Sequence, residues 1–428
     1  MISLDLANAV LLASLAISTG AYIQVSRSEG SYVNIMTPGF LVNVPAMYLL
    51  PIAFNSLFGA EASPFAYVYV YATIAAENLI FAFVYTRPKT KPLCLPLAFG
   101  YSNFWGLSLL CLAGAGLLYL PILLEFREYI FDPRRIYELT RTGFGTSFFL
   151  SSTLVYLAVI LVLFAKQSVR RRVFVFLGAG FLLSLHGSKG QVLQLFFLIL
   201  IFEIYVKRRR LTVLPALAVC FGISMVLLGL FAATMTLETP ADALQSLSQY
   251  SDYTRNAMLV IDSNFPLQYG RLTWESNVLA FVPRALFPSK PKDFGAFYLD
   301  AEFFPHAMDE DRGAPAFGPG LQYADFGILA IVYLGLFAAL RGWLARLWVD
   351  RLKHTWHPSD FLVVAFLADV VVFPIGTGWL LPETLLVATF LRYVSCFGAP
   401  KIYHEQVRRR GSALPRGGSE PVGGLEGI

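Results

Sequence analysis

Charge is scarce in this sequence. Only 14% of its 428 residues are Asp, Glu, Lys or Arg, where ordinary soluble domains carry about 25%. With 56% hydrophobic residues and a mean hydropathy of +0.60, an ordinary soluble globule is excluded, because lipid must solvate much of this surface. Cysteine is scarcer still. Cys94, Cys111, Cys220 and Cys396 stand singly in or beside apolar runs, a spacing that argues against a zinc site or a disulfide framework. No GxxxxGK[ST] stretch occurs, so the chain does not read as an ATPase. No internal repeat is visible, which weakens an inverted-repeat transporter organisation. The apolar stretch 5–23 has no basic segment before it and no small-residue cleavage signal after it, and it reads as a retained span.

What is abundant is apolar sequence, with 37 Phe and 21 Tyr suited to lipid-facing surfaces and interfacial belts. Apolar runs fall at 5–23, 40–58, 66–86, 93–120, 144–165, 173–186, 191–206, 211–233, 326–340, 361–379 and 381–398. The pattern predicts an all-α polytopic membrane protein of about 11 transmembrane helices. Runs 173–186 and 361–379 are short, as tilted, broken or re-entrant segments are. Basic clusters follow the odd-numbered runs: Arg87, Lys89 and Lys91; Lys166 with Arg170 to Arg172; Lys207 with Arg208 to Arg210; Arg341, Arg346, Arg351 and Lys353; and Lys401 with Arg408 to Arg410. One orientation puts all of them in the cytoplasm, with the N-terminus outside and the C-terminus inside. The expected division is helices 1–8 in 1–233, an outer loop domain in 234–325, helices 9–11 in 326–400 and a cytoplasmic tail in 401–428. The loop holds six basic and twelve acidic residues, a net of −6 in a chain of +5, so the remainder concentrates positive charge as the positive-inside rule requires.

A loop of that length is usually functional. Stretches 241–262 and 273–287 have the pattern of amphipathic helices lying at the membrane interface. Within the acidic loop, Arg284, Lys290 and Lys292 fall close together, stiffened by Pro283, Pro288 and Pro291. Such a segment suits phosphate recognition, while charge alone favours contact with lipid headgroups or salt bridges with loop acids. Lys189 lies in the turn Gly187-Ser188-Lys189-Gly190. Exposed amides near a helix start plus a lysine make an anion site, or the lysine simply snorkels at a helix end. Together, the stiff cationic segment and this turn are expected to face each other on the outer side of the bundle.

FVPRALFPSKP, the preceding NFPLQYGRLTWESNVLAF, the GSKG turn and GPGLQYADFG entering a span resemble segments of bacterial oligosaccharide repeat-unit polymerases, the Wzy-type O-antigen and exopolysaccharide polymerases. The likeness extends to span layout over most of the chain. It implies a GT-C-like all-helical fold in the bacterial inner membrane with a periplasmic loop. It also implies transfer of a growing glycan from undecaprenyl diphosphate to a sugar hydroxyl of a new lipid-linked unit. Implied partners are these lipid-linked oligosaccharides, membrane lipids and a chain-length regulator, with no nucleic acid, cofactor or metal. The matching residues are Lys189, Arg284, Lys290, Tyr323 and Gly327. One departure stands out: Leu321 occupies the place of a family acid, and an acid appears instead at Asp325. A ligase-like transferase and a lipid-linked sugar flippase are the competing readings.

The leaving diphosphate is a weak base and needs charge stabilisation more than protonation, which preorganised Arg and Lys supply. Arg284 would bind two oxygens at once, while Lys189, Lys290 and Lys292 would act as point charges. Arg271, Arg312 and the pair Arg134/Arg135 are further outer-face cations or rim salt bridges. For a base, Asp325 ranks first, with Glu275 and His306 behind it; Asp325 reads equally as a helix cap, Glu275 as a helix-start acid and His306 as a surface residue. Glu77, Asn78 and Asp369 lie inside apolar runs, where ionisable groups mark a pathway or pair within the bundle. Asp350, His354 and His357 share a helical face with metal-like spacing but fall on the cytoplasmic side, where Trp343, Trp348 and Trp356 favour an interfacial helix.

Overall fold

A computed structural model of the chain describes residues 3–87, 103–140, 144–212, 252–279, 287–291, 293–305, 316–370 and 387–391, with isolated positions 214, 215, 218, 222, 225 and 282. The described residues form helices and no strands: α1 (Leu4–Glu29), α2 (Thr37–Phe58), α3 (Pro64–Tyr85), α4 (Phe104–Glu125), α5 (Pro133–Leu139), α6 (Gly145–Phe164), α7 (Val169–Leu185), α8 (Lys189–Ile201), α9 (Asp252–Asp262), α10 (Arg271–Asn277), α11 (Ala296–Phe303), α12 (Gly320–Phe326), α13 (Ala330–Thr355) and α14 (Pro358–Leu367). Among the described residues six stretches are long and apolar enough to cross a membrane: α1, α2, α3, α4, α6 and the α12–α13 stretch. The expected runs 211–233 and 381–398 lie mostly outside the described residues, as do 93–102 of the fourth and the whole tail 401–428.

Local chemistry sets the helix ends. Ser63 caps α3 by accepting from Ala66 N at 3.1 Å, and Pro64 stands at the first helical position, where no N–H is needed. Gly30 closes α1 in the left-handed region at φ 65°. Along α2, a π-helical turn over Pro45–Leu49 interrupts the α-helix, since Pro45 can donate no bond to the ladder. On α4, Leu110, Leu117 and Leu124 are 68%, 69% and 65% exposed. Their spacing of seven puts them on one stripe, the lipid-facing side of a span.

The ends of α1, α3, α8 and α13 gather at one end of the bundle. There Glu29 accepts from Tyr205 Oη at 2.8 Å and from Tyr85, and Arg208 donates to the Lys353 carbonyl. At the opposite end the Ser63 backbone N–H donates to Asp262 of the long loop at 2.7 Å.

Two expectations are corrected. The ninth run does not end at residue 340: α13 continues to Thr355, because Gly335, Ala338, Gly342 and Ala345 keep one small-residue face against α3. A Cβ on Gly342 would lie 2.7 Å from the Phe81 carbonyl, the close approach that small residues permit between spans. Arg341 therefore stands within the bundle, about 16 Å along α13. Likewise, the described part of stretch 241–262 does not lie on the membrane surface. From Asp262, beside Ser63, α9 reaches back about 14 Å to Tyr253 along α3. Its Ala257, Met258 and Ile261 are buried with Ala66, Tyr67 and Val70 of α3. Burying that stripe is worth more than an interfacial position can offer. α12 runs beside α9, and a Cβ on Gly320 would meet the Ala257 backbone at 2.7 Å. The long loop thus sends two helices back into the bundle.

Candidate active site

Beneath those two helices lies a partly open cavity of about 260 Å³. Its roof is Tyr253 at the deep end of α9, with Gly318, Pro319 and Gln322 at the start of α12. Its walls are α1 at Ser18, α2 at Asn43 and Tyr48, and α3 at Glu77 and Asn78. Arg341 and Asp369 complete it. Arg341 forms an ion pair with Asp369 and donates to the Leu367 carbonyl at 3.0 Å, so one guanidinium caps the end of α14 and holds its acid. Asp369 sits at φ 58°, the position after a helix that normally belongs to glycine. Its N–H donates to Phe366 O at 3.0 Å and the Val370 N–H to Ala365 O at 2.9 Å, the paired bonds of a Schellman turn. From the sequence, Arg341 belongs to a cytoplasmic basic cluster and Gln322 has no assigned role. The signal for Arg341 was the small-residue face that continues past residue 340.

The loop framework is built from the acids and cations singled out in the sequence. Asp325 is 1% exposed. Its carboxylate accepts from Leu272 N at 3.0 Å and Thr273 N at 2.6 Å. α10 starts after Gly270, which has no side chain to cap it, so Asp325 caps it from α12. Backbone bonds from Gln268 N to Ala324 O and from Tyr269 N to Asp325 O, both 2.9 Å, extend the same junction. Glu275 accepts from Gly295 N at 2.8 Å and pairs with Arg271 Nε at 3.3 Å, while the Arg271 guanidinium lies 4.4 Å from the Tyr298 ring centre. Tyr323 meets Tyr69 edge-on with ring centres 5.0 Å apart. The Tyr69 hydroxyl donates to Gly327 O at 3.2 Å and accepts from Ile331 N at 3.1 Å, which fixes the turn into α13.

An expected result follows. Asp325→Ala leaves two buried amides without a partner, at a cost of about 1–3 kcal/mol each, and should expose the loop to limited proteolysis in membranes. Asp325→Asn keeps an acceptor and should protect most of it. Loss of activity in Asp325→Asn with an intact, protease-resistant loop would instead mark the carboxylate as a base.

Lys290 is buried and turned into its own loop, with Nζ donating to Val282 O at 3.2 Å and lying 4.4 Å from the Phe294 ring centre. Its bond to Val282 ties together the two ends of the segment that carries Arg284. Arg284, Lys292, His306 and Arg312 lie outside the described residues.

The backbone of Lys189 opens α8, and Gly187 before it has φ 69°. A Cβ on Gly187 would lie 2.1 Å from the Pro133 carbonyl, so this turn packs directly on the start of α5. Arg134 and Arg135, both exposed, occupy that same helix start. The GSKG turn and the arginine pair thus converge.

Two curated relatives named "O-antigen polymerase", one from Salmonella typhimurium strain LT2 and one from Salmonella typhi, are each 35% identical to this chain over 389 residues, covering 89% of it and 93% of the relative. No protein-family model and no solved structure matches the chain.

Proposed function

The chain belongs to the O-antigen polymerase family, and on that premise we propose that it polymerises undecaprenyl-diphosphate-linked repeat units at the periplasmic face of the inner membrane. A sugar hydroxyl of the incoming unit attacks the anomeric carbon of the growing chain and gives up its proton to a carboxylate or water at the site. The bond from that carbon to the diphosphate breaks, and the lipid diphosphate leaves with the electron pair. Arg284 takes the developing charge, with Lys292 beside it and Lys189, Arg134 and Arg135 at the GSKG turn as a second cationic group. Lys290 and Arg271 hold the loop that presents Arg284, and Asp325 and Tyr323 anchor it to α3 and α10. In this reading the fold is GT-C-like with about eleven spans, residues 234–325 are periplasmic, the C-terminus is cytoplasmic and a chain-length regulator is a partner.

The observation that carries the reading is likeness to two polymerases along nearly the whole chain. A loop domain anchored in the bundle supports a transferase, whose catalytic groups must be held still. The test is reconstitution in liposomes with purified lipid-linked repeat units, without ATP or added metal. A ladder of longer lipid-linked products is expected. Translocation of units with no lengthening would replace this reading with a flippase, and transfer only to a lipid A core acceptor would replace it with a ligase.

A further inference from the structure

We propose that the cavity under α9 and α12 is a saccharide-binding subsite that takes an uncharged sugar ring of the repeat unit. The inference rests on the polymerase reading and adds a place for the glycan that the cationic loop does not supply.

Its wall chemistry decides the ligand class. The Arg341–Asp369 pair is neutral as a unit, and Glu77 stands within electrostatic reach of both. The three sum to −1 when ionised, which repels a phosphate. The carboxylate of Glu77 makes no hydrogen bond or ion pair among the described residues and lines the cavity. Asn43, Asn78 and Gln322 add planar groups that both donate and accept. Vicinal sugar hydroxyls are donors and acceptors at once, and such planar side chains match them. Phe40, Phe81 and Tyr253 give apolar ring surfaces for the C–H faces of a pyranose. The volume lies at the lower end of small-molecule sites, of order 300 Å³, and suits one or two rings.

Asp369 adds a second acid to the wall. Its left-handed turn, a conformation Asp adopts more readily than most residues, holds the carboxylate on Arg341 at the cavity. The Asp369 side chain is 50% exposed despite lying within the bundle; it faces the cavity. The roof helices α9 and α12 belong to the same long loop in sequence as Arg284. Diphosphate and glycan would then be sorted by charge, the anion to the loop cations and the neutral sugar to the acid-lined pocket.

The test uses the full chain in liposomes and measures elongation rate against the concentration of lipid-linked repeat unit. Glu77→Gln should raise KM about ten- to a hundredfold, the range for a lost hydrogen bond to a charged group, and Asn43→Ala, a gentler change, about two- to tenfold, the range for a neutral one. kcat should change much less, with thermal unfolding near wild type. An unchanged KM in either well-folded variant, or a loss confined to kcat, overturns the subsite. Proton or sodium uptake by liposomes that depends on Glu77 also overturns it, in favour of a cation path. If Glu77→Gln fails to fold, the Asn43→Ala result decides. A wild-type protein that lengthens nothing fails the polymerase reading itself and is distinguished from every variant outcome.

Discussion

Arg284→Ala is expected to abolish polymer while leaving the protein in the membrane at its normal level. The leaving group is a diphosphate, so the transition state differs from the ground state mainly by negative charge gathering on bridging oxygen. A fixed donor aimed at such charge is commonly worth a factor of about a hundred to a thousand in rate. Guanidinium is the suited group, since it spans two oxygens in one plane and stays charged. The structure adds a reason why this position matters more than its neighbours. The Lys290 ammonium is committed to Val282 O and the Phe294 ring, and it closes the segment on which Arg284 sits. Arg284→Lys should therefore keep a small fraction of the rate, and Lys290→Ala should lose activity by loosening the segment. Gel separation of lipid-linked products from membranes, with immunoblotting for protein level, reads all three. Long polymer at the normal rate in Arg284→Ala would end the idea of a diphosphate clamp.

The largest expected effect on stability lies at the opposite end. Arg351 and Asp360 are 3% and 1% exposed and bonded Nε to Oδ1 at 3.0 Å, with Thr355 also donating to Asp360. This pair joins the end of α13 to the first turn of α14. Removing one partner of a buried pair leaves a charge without compensation, a loss of about 3–5 kcal/mol, a large share of a typical total of 5–15 kcal/mol. Asp360→Ala and Arg351→Ala should each lower the unfolding temperature in detergent sharply and reduce protein recovered from membranes. The double variant Arg351→Met with Asp360→Leu should recover much of that loss, because well-packed apolar groups replace buried pairs at little cost. If the single variants unfold as wild type does, the pair contributes nothing to the helix junction.

The six helices among the described residues that are long and apolar enough to span were legible from hydropathy, because a run that must lie in lipid has no other way to satisfy its backbone. The legibility stopped where a helix changed environment without changing pattern. Run 326–340 looked complete at Arg341, since a cation conventionally marks the end of a span; α13 instead carries Arg341 inward and supplies it with Asp369. Asp325 showed the opposite case. Its neighbours in sequence suggested a cap for the helix it enters or a base at the span mouth, yet it caps α10, more than fifty positions away. Only the meeting of α12 and α10 creates that acceptor's partners.

By itself the sequence determined that this is a membrane chain, which residues are apolar enough to span, that its acids concentrate in one long loop, and to which family its motifs point. These properties are sums over local stretches, and transfer into lipid acts on them one stretch at a time. Tertiary structure alone decided that α9 and α12 turn back into the bundle, that Lys290 reaches the Val282 carbonyl across its loop, and that Glu77, Arg341 and Asp369 meet around one cavity. Those outcomes depend on small-residue faces that allow backbones to within contact and on buried charges that must find partners. Both are properties of pairs of helices, which no single stretch encodes.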